Sequence, residues 1–188
     1  MDFTKFEPLF ELIESKTRQR ERTVLAIDGG AASGKSTLAA LLAEKYGAET
    51  VHMDDFFLPH ERKTPARLAE FDGNIDRERF AAEVLPYISE AKTFSYGKYD
   101  CGAGAVLSQV QIGSSRLAVV EGVYSLSPYF TQSYDIKIML TIDKEEQLAR
   151  LKARCAPWQF EKFKTLWLPL EERYFTLGGI SEKCDFIF

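Results

Sequence analysis

One glycine-rich stretch with a single lysine carries the clearest chemical signal in this sequence. Residues 29–36 read GGAASGKS and match the pattern G-x-x-x-x-G-K-[ST], between a predicted strand and a predicted helix. Glycines and small residues let the backbone wrap so closely that its N–H groups point at phosphate oxygens, and a helix N-terminus adds positive charge. A glycine turn with an incidental Lys-Ser is the alternative, but the flanking strand and helix favour a phosphate-binding loop.

We predict that this phosphate-binding loop holds ATP together with Mg²⁺. Lys35 is expected to reach the β and γ phosphates, and the Ser36 hydroxyl is expected to ligate Mg²⁺. GTPases usually read guanine with N-K-x-D and carry a switch with D-x-x-G, and neither pattern occurs in the sequence. The predicted nucleotide-binding residues are Gly29, Ala32, Ser33, Gly34, Lys35, Ser36 and Thr37.

Two neighbouring aspartates, Asp54 and Asp55, follow the second predicted strand, ETVHM. Ligands of open α/β sheets bind outside the carboxyl ends of the strands, so these carboxylates are expected in the same crevice as the loop. An aspartate there can orient an acceptor hydroxyl and accept its proton, whereas it would repel a phosphorylated acceptor. We therefore predict a hydroxyl acceptor with Asp54 as a catalytic residue. Solvated loop residues or caps are the alternative for both aspartates.

Three further charged residues could act on the transferred phosphoryl group. Glu121 lies near the end of the apolar run 117–122, where a buried acid needs a cation, so we predict that it holds Mg²⁺ through water. Arg150 and Arg154 lie one helical turn apart and are predicted catalytic residues that neutralise the phosphoryl group from a lid. The alternatives are a strand-end acid that faces solvent and a solvated helix face with Glu–Arg pairs.

The elements that must position these residues alternate between strands and helices, which predicts an α/β fold with a parallel sheet. The predicted strands are 24–28, 49–53, 117–122, 135–143 and 185–188. The predicted helices are one at the N-terminus, 36–46, 77–86 and 143–155. Residues 93–112 suit a hairpin or an irregular loop. An aromatic run near the C-terminus has helical spacing, and Pro169 is predicted to break or restart that helix.

Length and composition fit one globular domain. The chain has 188 residues, is 45% hydrophobic and carries a net charge of −4, which argues against general nucleic-acid binding. It has no run of about 18 apolar residues, no signal-peptide pattern and no disulfide or metal spacing among its cysteines. We therefore predict a cytoplasmic protein without a membrane partner. Its two histidines lack partners at zinc-like spacing and are interpreted as ordinary polar residues.

Seven segments follow one another in the order found in uridine kinase-like P-loop kinases: DGGAASGKST, HMDDFFLP, GNIDRERF, YGKYDC, VVEGVYSL, YDIKIMLTID and QLARLKAR. From about residue 22 onward, the chain resembles the uridine kinase and phosphoribulokinase superfamily, close also to nicotinamide riboside kinases. The resemblance implies a P-loop NTPase three-layer fold with a five-stranded, mainly parallel sheet and a small lid helix region. The expected domain plan is a single kinase domain over 1–188, with an N-terminal helix at 1–20, an acceptor-binding insertion at about 54–112 and a lid at about 144–170.

The resemblance also implies roles residue by residue. Asp54 matches the aspartate that orients the acceptor 5′-hydroxyl. Asp76 resembles the aspartate that binds ribose hydroxyls, and Tyr99 resembles an aromatic residue of the base pocket. The phosphate, metal and lid residues of the family are matched by Lys35, Ser36, Glu121, Arg150 and Arg154. The segment 101–104, CGAG, stands where a histidine that reads a pyrimidine often follows the Tyr-Asp pair.

Together these residues predict an ATP-dependent kinase that transfers the γ-phosphoryl group to a hydroxyl of a nucleoside such as uridine or cytidine. Nicotinamide riboside, pantothenate or a sugar phosphate is an alternative acceptor. A sugar phosphate would require a basic pocket around Arg62, Lys63, Arg67 or Arg77. A regulator or ATPase that binds ATP without kinase activity is the alternative from another class. The predicted assembly is a homodimer.

Overall fold

Strand β1, Thr23–Gly29, is buried along its whole length because it has a parallel neighbour on each side and a hydrophobic cluster on each face of the sheet. The computed structural model describes residues 3–188. Its main sheet has five strands in the order β2-β5-β1-β6-β7, and every pairing is parallel. This confirms the predicted α/β fold. The other strands are β2 Glu49–His52, β3 Phe94–Asp100, β4 Ala105–Ile112, β5 Leu117–Glu121, β6 Ile136–Leu140 and β7 Phe186–Ile187.

The helices lie largely between the strands in the chain order that a parallel sheet requires. Residues 1 and 2 of the predicted N-terminal helix lie outside the described residues, and the rest forms a 3-10 turn followed by α1. Within residues 3–188, no helix is both long and apolar enough to cross a bilayer. The helices are α1 Glu7–Gln19, α2 Lys35–Tyr46, α3 Pro65–Ala69, α4 Arg77–Glu83, α5 Lys144–Arg154, α6 Pro157–Lys162 and α7 Leu168–Gly178.

Side chains of β1 alternate between two hydrophobic clusters, one on each face of the sheet, because successive strand residues point to opposite faces. Leu25 and Ile27 pack in the cluster that α1 and α2 cover, with Leu9, Ile13, Leu38 and Leu42. Val24 and Ala26 pack in the cluster on the other face, with Phe56, Phe80, Tyr96 and Tyr174. The three layers predicted from the resemblance are therefore present.

Two predicted elements extend a few residues beyond the ends of the observed ones. The helix predicted for 77–86 ends at Glu83, since Pro86 disfavours helical backbone at the preceding residue. The strand predicted for 135–143 is β6, which ends at Leu140. Residues 94–112 form the antiparallel hairpin β3–β4, one of the two predicted possibilities, with a register shift between Lys98 and Tyr99.

The aromatic run near the C-terminus forms one helical rod with a π turn inside it. Helix α6 passes directly into the π turn Phe163–Trp167, which passes into α7. Pro169 lies in the first turn of α7, where it has no N–H to donate to an upstream carbonyl. The proline was predicted to break or restart the helix. The helix instead continues, and the wider π turn lies immediately before the proline.

Candidate active site

The phosphate-binding loop connects β1 to α2 at the carboxyl edge of the central strand. Gly29 has φ of 142° and Gly34 has φ of 102°, values that favour glycine, and a Cβ on Gly29 would overlap the Leu140 carbonyl oxygen. Gly34 is the N-cap of α2, so the loop ends where the free N–H groups of that helix begin. Lys35 is buried, and its Nζ donates to the carbonyl oxygens of Gly29 at 2.8 Å and Gly30 at 2.9 Å. The lysine therefore lies over the loop.

Ser36 and Glu121 form the pair of oxygen ligands predicted for Mg²⁺. The Ser36 hydroxyl lies 3.2 and 3.3 Å from the two carboxylate oxygens of Glu121, which is buried at the end of β5. Hydroxyl and carboxylate oxygens suit Mg²⁺, so these residues fit the predicted ion. His52 Nδ1 lies 2.6 Å from Glu121 Oε1, and this hydrogen bond raises the pKa of His52 against the opposing effect of burial. The sequence interpretation of His52 as an ordinary polar residue missed this contact.

Asp54 lies beside this pair, in the 3-10 turn Met53–Phe56 that follows β2. Within residues 3–188, its carboxylate has no hydrogen-bond or ion-pair partner. The residue is exposed at the surface, next to buried residues of the same turn. Partial burial of its carboxylate raises the pKa of Asp54, Lys35 opposes the shift, and Glu121 and Asp55 add to it. The acceptor-side carboxylate and the loop lysine are therefore electrostatic neighbours.

Asp55 points away from the crevice into protein. It is buried, and its Oδ2 accepts a 2.9 Å hydrogen bond from the Tyr96 hydroxyl. Its Oδ1 lies 3.7 Å from Lys98 Nζ on the hairpin. Of the two adjacent aspartates, only Asp54 is free to meet a substrate.

Side chains from α5 and α7 contact the phosphate-binding loop. The Gln147 amide donates to the Ala31 carbonyl oxygen at 2.9 Å, and Arg150 donates to the Ala32 carbonyl oxygen at 3.0 Å. Glu171 Oε2 accepts the Ala31 backbone N–H at 2.8 Å. The two helices thus contact the loop backbone at Ala31 and Ala32 through three side chains.

Arg154, the second predicted lid arginine, is not at the loop. Its guanidinium lies 6.0 Å from the centre of the Phe163 ring, at the far end of α5. Arg150 is one turn closer to the loop and also pairs with Glu146. The structure brings Arg150 to the predicted phosphate site and leaves Arg154 in the packing between α5 and the π turn.

Glu171 is the site residue that the sequence interpretation missed. It is buried, and burial raises its pKa to about 7, with the Ala31 N–H and Lys35 opposing the shift. The local sequence LEERY contains two adjacent glutamates, and neither is marked as a site residue. Helical spacing offers the one available signal, since Glu171 lies three residues before the buried Tyr174 and so shares its face.

The two remaining predicted substrate residues are buried and engaged with protein groups. Asp76 is the N-cap of α4: its Oδ1 accepts the Arg79 N–H, and its Oδ2 accepts Arg62 Nη1 at 2.6 Å. Tyr99 is buried on β3, and its hydroxyl lies at the backbone of His60. Thr37 is exposed in the first turn of α2, next to Ser36. The substrate roles of Asp76 and Tyr99 stay predictions.

Three of the four cations that a sugar phosphate would need are neutralised by acids. Arg62 pairs with Asp76, Arg67 with Glu78 at 3.0 Å, and Arg77 with Asp72 at 2.9 Å. Lys63 is half-buried, and desolvation lowers its pKa. The predicted basic pocket is therefore reduced to Lys63.

A separate cavity of about 470 Å³ lies at the opposite edge of the sheet. It is lined by residues that precede β1 and β6, among them Arg22 and Asp135. Asp135 pairs there with Arg20 and accepts the Val24 N–H. This cavity is not part of the crevice that holds the phosphate-binding loop.

Comparisons with known proteins agree with this arrangement. No family model matches the chain. A protein of Schizosaccharomyces pombe that is provisionally named a uridine kinase is 26% identical over 176 residues, covering 81% of this chain and 74% of that protein.

Two solved structures share the fold. The structure of a possible uridine kinase from Bacillus stearothermophilus superposes with a TM-score of 0.67 at 19% identity, covering 96% of this chain and 99% of that one. YFH7 of Saccharomyces cerevisiae, provisionally assigned as a P-loop kinase with a circular permutation, has a TM-score of 0.64 at 14% identity, covering 95% and 96%.

The fold and the loop between β1 and α2 define this chain as a protein with the P-loop kinase fold. In sequence the chain resembles a protein provisionally named a uridine kinase, which confirms the resemblance predicted from the sequence motifs.

Proposed function

We propose that this chain is an ATP-dependent kinase that transfers the γ-phosphoryl group to a hydroxyl of a nucleoside. The observation that carries the proposal is the unpartnered carboxylate of Asp54, which lies within electrostatic range of Lys35 and of Glu121, the partner of Ser36. Such a site combines an anion-binding loop with a proton-accepting group, which is what transfer to an alcohol needs.

Each residue of the crevice has a defined task in this proposal. Lys35 and the loop N–H groups would bind the β and γ phosphates, and Ser36 and Glu121 would hold Mg²⁺. The ion supplies neutralisation of the phosphate charge. Asp54 would orient the acceptor hydroxyl and take its proton. Its raised pKa makes it a stronger base than an ordinary aspartate.

The charges around Asp54 support an acceptor without a phosphate group. Arg62, Arg67 and Arg77 are committed to acids, so a sugar phosphate would find Lys63 as its main counter-ion and Asp54 as a repelling neighbour. The S. pombe relative, provisionally named a uridine kinase, supports a nucleoside among the acceptors without a phosphate group. Nicotinamide riboside and pantothenate are the alternatives within the same reaction type.

The test is ADP release measured with uridine, cytidine, nicotinamide riboside, pantothenate and ribulose phosphate. We expect acceptor-dependent ADP release with a nucleoside. Asp54→Asn should lower turnover by about 10² to 10⁴ and leave ATP binding intact, since a positioned acid–base group contributes that much. Glu44→Gln, which removes one exposed charge from α2, is the matched control and should turn over normally.

Three outcomes would contradict parts of the proposal. Normal turnover of Asp54→Asn would remove that residue from the chemistry. Turnover with ribulose phosphate alone would overturn the proposal that the acceptor has no phosphate group. ATP hydrolysis that depends on a partner protein and on no small-molecule acceptor would identify a regulator instead of a kinase.

A further inference from the structure

The backbone of the phosphate-binding loop is hydrogen-bonded at Ala31 to a carboxylate from a distant part of the chain. The Ala31 N–H donates to Glu171 Oε2 at 2.8 Å, and the two residues are 140 positions apart. The Ala31 carbonyl oxygen is held as well, by Gln147 at 2.9 Å. Both backbone polar groups of Ala31 are thus engaged by side chains of α7 and α5.

A carboxylate is an unusual group to place at this point. The loop is an anion-binding surface, because its N–H groups and the N-terminus of α2 present positive charge. Glu171 is 7% exposed and brings a negative charge to that surface before any phosphate arrives. A glutamine could accept the same N–H without the charge. The hydrogen bond alone therefore does not account for an acid here.

Several charged or titratable groups lie near Glu171. Burial raises the pKa of Glu171 to about 7, and the Ala31 N–H and Lys35 on α2 oppose the shift. Asp54 after β2 and Asp28 in β1 add to it. Tyr124, which follows β5, interacts with Glu171 as well. Glu171 can change its charge under ordinary conditions.

We propose that Glu171 is a built-in competitor of the nucleotide: its carboxylate accepts the Ala31 N–H on the surface that the phosphates of ATP would use, and it takes up a proton when they bind. The inference rests on nucleotide binding at this loop, as proposed above. ATP binding is then coupled to the protonation of a side chain of α7. Glu171 acts as a positioning residue and needs no contact with the reacting atoms.

The coupling gives ATP affinity a characteristic dependence on pH. As pH rises through about 7, Glu171 ionises in the empty protein and repels the incoming phosphates. The affinity of the wild-type protein for Mg-ATP should therefore fall as pH rises. A coupling equal to one pKa unit corresponds to a change of about tenfold in the dissociation constant.

The experiment compares Glu171→Gln with Glu172→Gln, its exposed neighbour, by titration with Mg-ATP from about pH 6 to about pH 8.5. Because the ligand is the same, its own ionisation cancels between variants. At about pH 8.5 we expect Glu171→Gln to bind Mg-ATP about tenfold more tightly than the wild type. At about pH 6 the two proteins should bind it equally. Glu172→Gln should follow the wild type. Equal or weaker binding by Glu171→Gln across the whole range would overturn the inference.

A second measurement needs no variant. Calorimetric titration of the wild-type protein with Mg-ATP at about pH 7.5, in buffers of different ionisation enthalpy, should show uptake of about half a proton for a pKa that moves from about 7 to about 8. Binding without proton uptake would overturn the inference and leave the proposed kinase standing. Absence of Mg-ATP binding in the wild type and in Glu172→Gln would overturn the proposed function and the inference with it.

Discussion

The Tyr174 hydroxyl donates a 2.7 Å hydrogen bond to Asp28 Oδ2 and thereby joins α7 to the strand that leads into the phosphate-binding loop. The same carboxylate accepts the N–H groups of Gly29 at 2.7 Å and Leu126 at 2.8 Å. Burial raises the pKa of Asp28 to about 6, and these three hydrogen bonds oppose the shift. One buried acid therefore ties together β1, the loop, the segment after β5 and the C-terminal helix.

Removing this hydroxyl should destabilise the fold in a way that depends on pH. The folded pKa of Asp28 is raised, so its contribution to stability is lost as pH rises through about 6. Tyr174→Phe removes a bond that favours the ionised form and raises that pKa further. We expect a loss of about 1 kcal/mol at about pH 5, which grows to about 2–3 kcal/mol at about pH 8, measured by urea unfolding.

The control for this prediction is Tyr129→Phe, because Tyr129 is 59% exposed. It should unfold like the wild type at both pH values. An equal loss for Tyr174→Phe at both ends of the range would show that Asp28 is not ionised in the folded protein.

Lys35→Ala should weaken every use of ATP. Lys35 is the buried cation of the loop, and without it the phosphates lose their main point charge. We expect kcat/KM for ATP to fall by about 10² to 10³, the range for one lost electrostatic contact in a site of this kind. Lys45→Ala, at the exposed end of the same helix, is the control. The measurement is steady-state ADP release. A decrease in kcat/KM of less than tenfold would refute the assignment of Lys35 to the phosphates.

Glu121→Gln should raise the Mg²⁺ requirement. The Glu121 carboxylate lies against the Ser36 hydroxyl, and an amide in its place carries no charge to hold a hydrated cation. We expect the Mg²⁺ concentration for half-maximal turnover to rise by about 10- to 100-fold, as when an outer-sphere metal partner is lost. The measurement is turnover against free Mg²⁺ at saturating ATP. An unchanged requirement would exclude Glu121 from the metal site.

Substitutions of the two predicted lid arginines should have different effects on turnover. Arg150 donates to the Ala32 carbonyl oxygen, whereas Arg154 lies against Phe163. We expect Arg150→Ala to lower kcat by about 10² because it removes a cation at the phosphates, and Arg154→Ala to lower it by less than about tenfold. Each arginine is the matched control of the other in the same ADP-release assay. Equal losses would favour a closed state in which both reach the nucleotide.

Local motifs carried most of what could be predicted from the sequence. The loop and Asp54 follow strands and Glu121 ends one, and the parallel order brings the carboxyl ends of those strands to one edge, so their proximity followed from the topology. The contacts of Glu171 with Ala31 and of Tyr174 with Asp28 could not be predicted. They join residues more than 100 positions apart, and no local pattern marks which acid or hydroxyl turns inward.

Other differences between the predicted and the observed site arise because folding gives charged residues partners that the sequence does not show. Arg62, Arg67 and Arg77 look like a basic pocket in the sequence, but folding brings an acid to each of them. Asp76 was predicted from the resemblance to bind substrate, and its position at the start of α4 also makes it a helix cap. The base preference and the predicted homodimer stay predictions.

The π turn Phe163–Trp167 has a consequence for how this chain can vary. A π turn holds one residue more than an α turn, so a change of one residue in the length of this segment can be absorbed there without rotating the helix that follows. Glu171 and Tyr174 can therefore keep facing Ala31 and Asp28 when the segment ahead of them changes length by one residue.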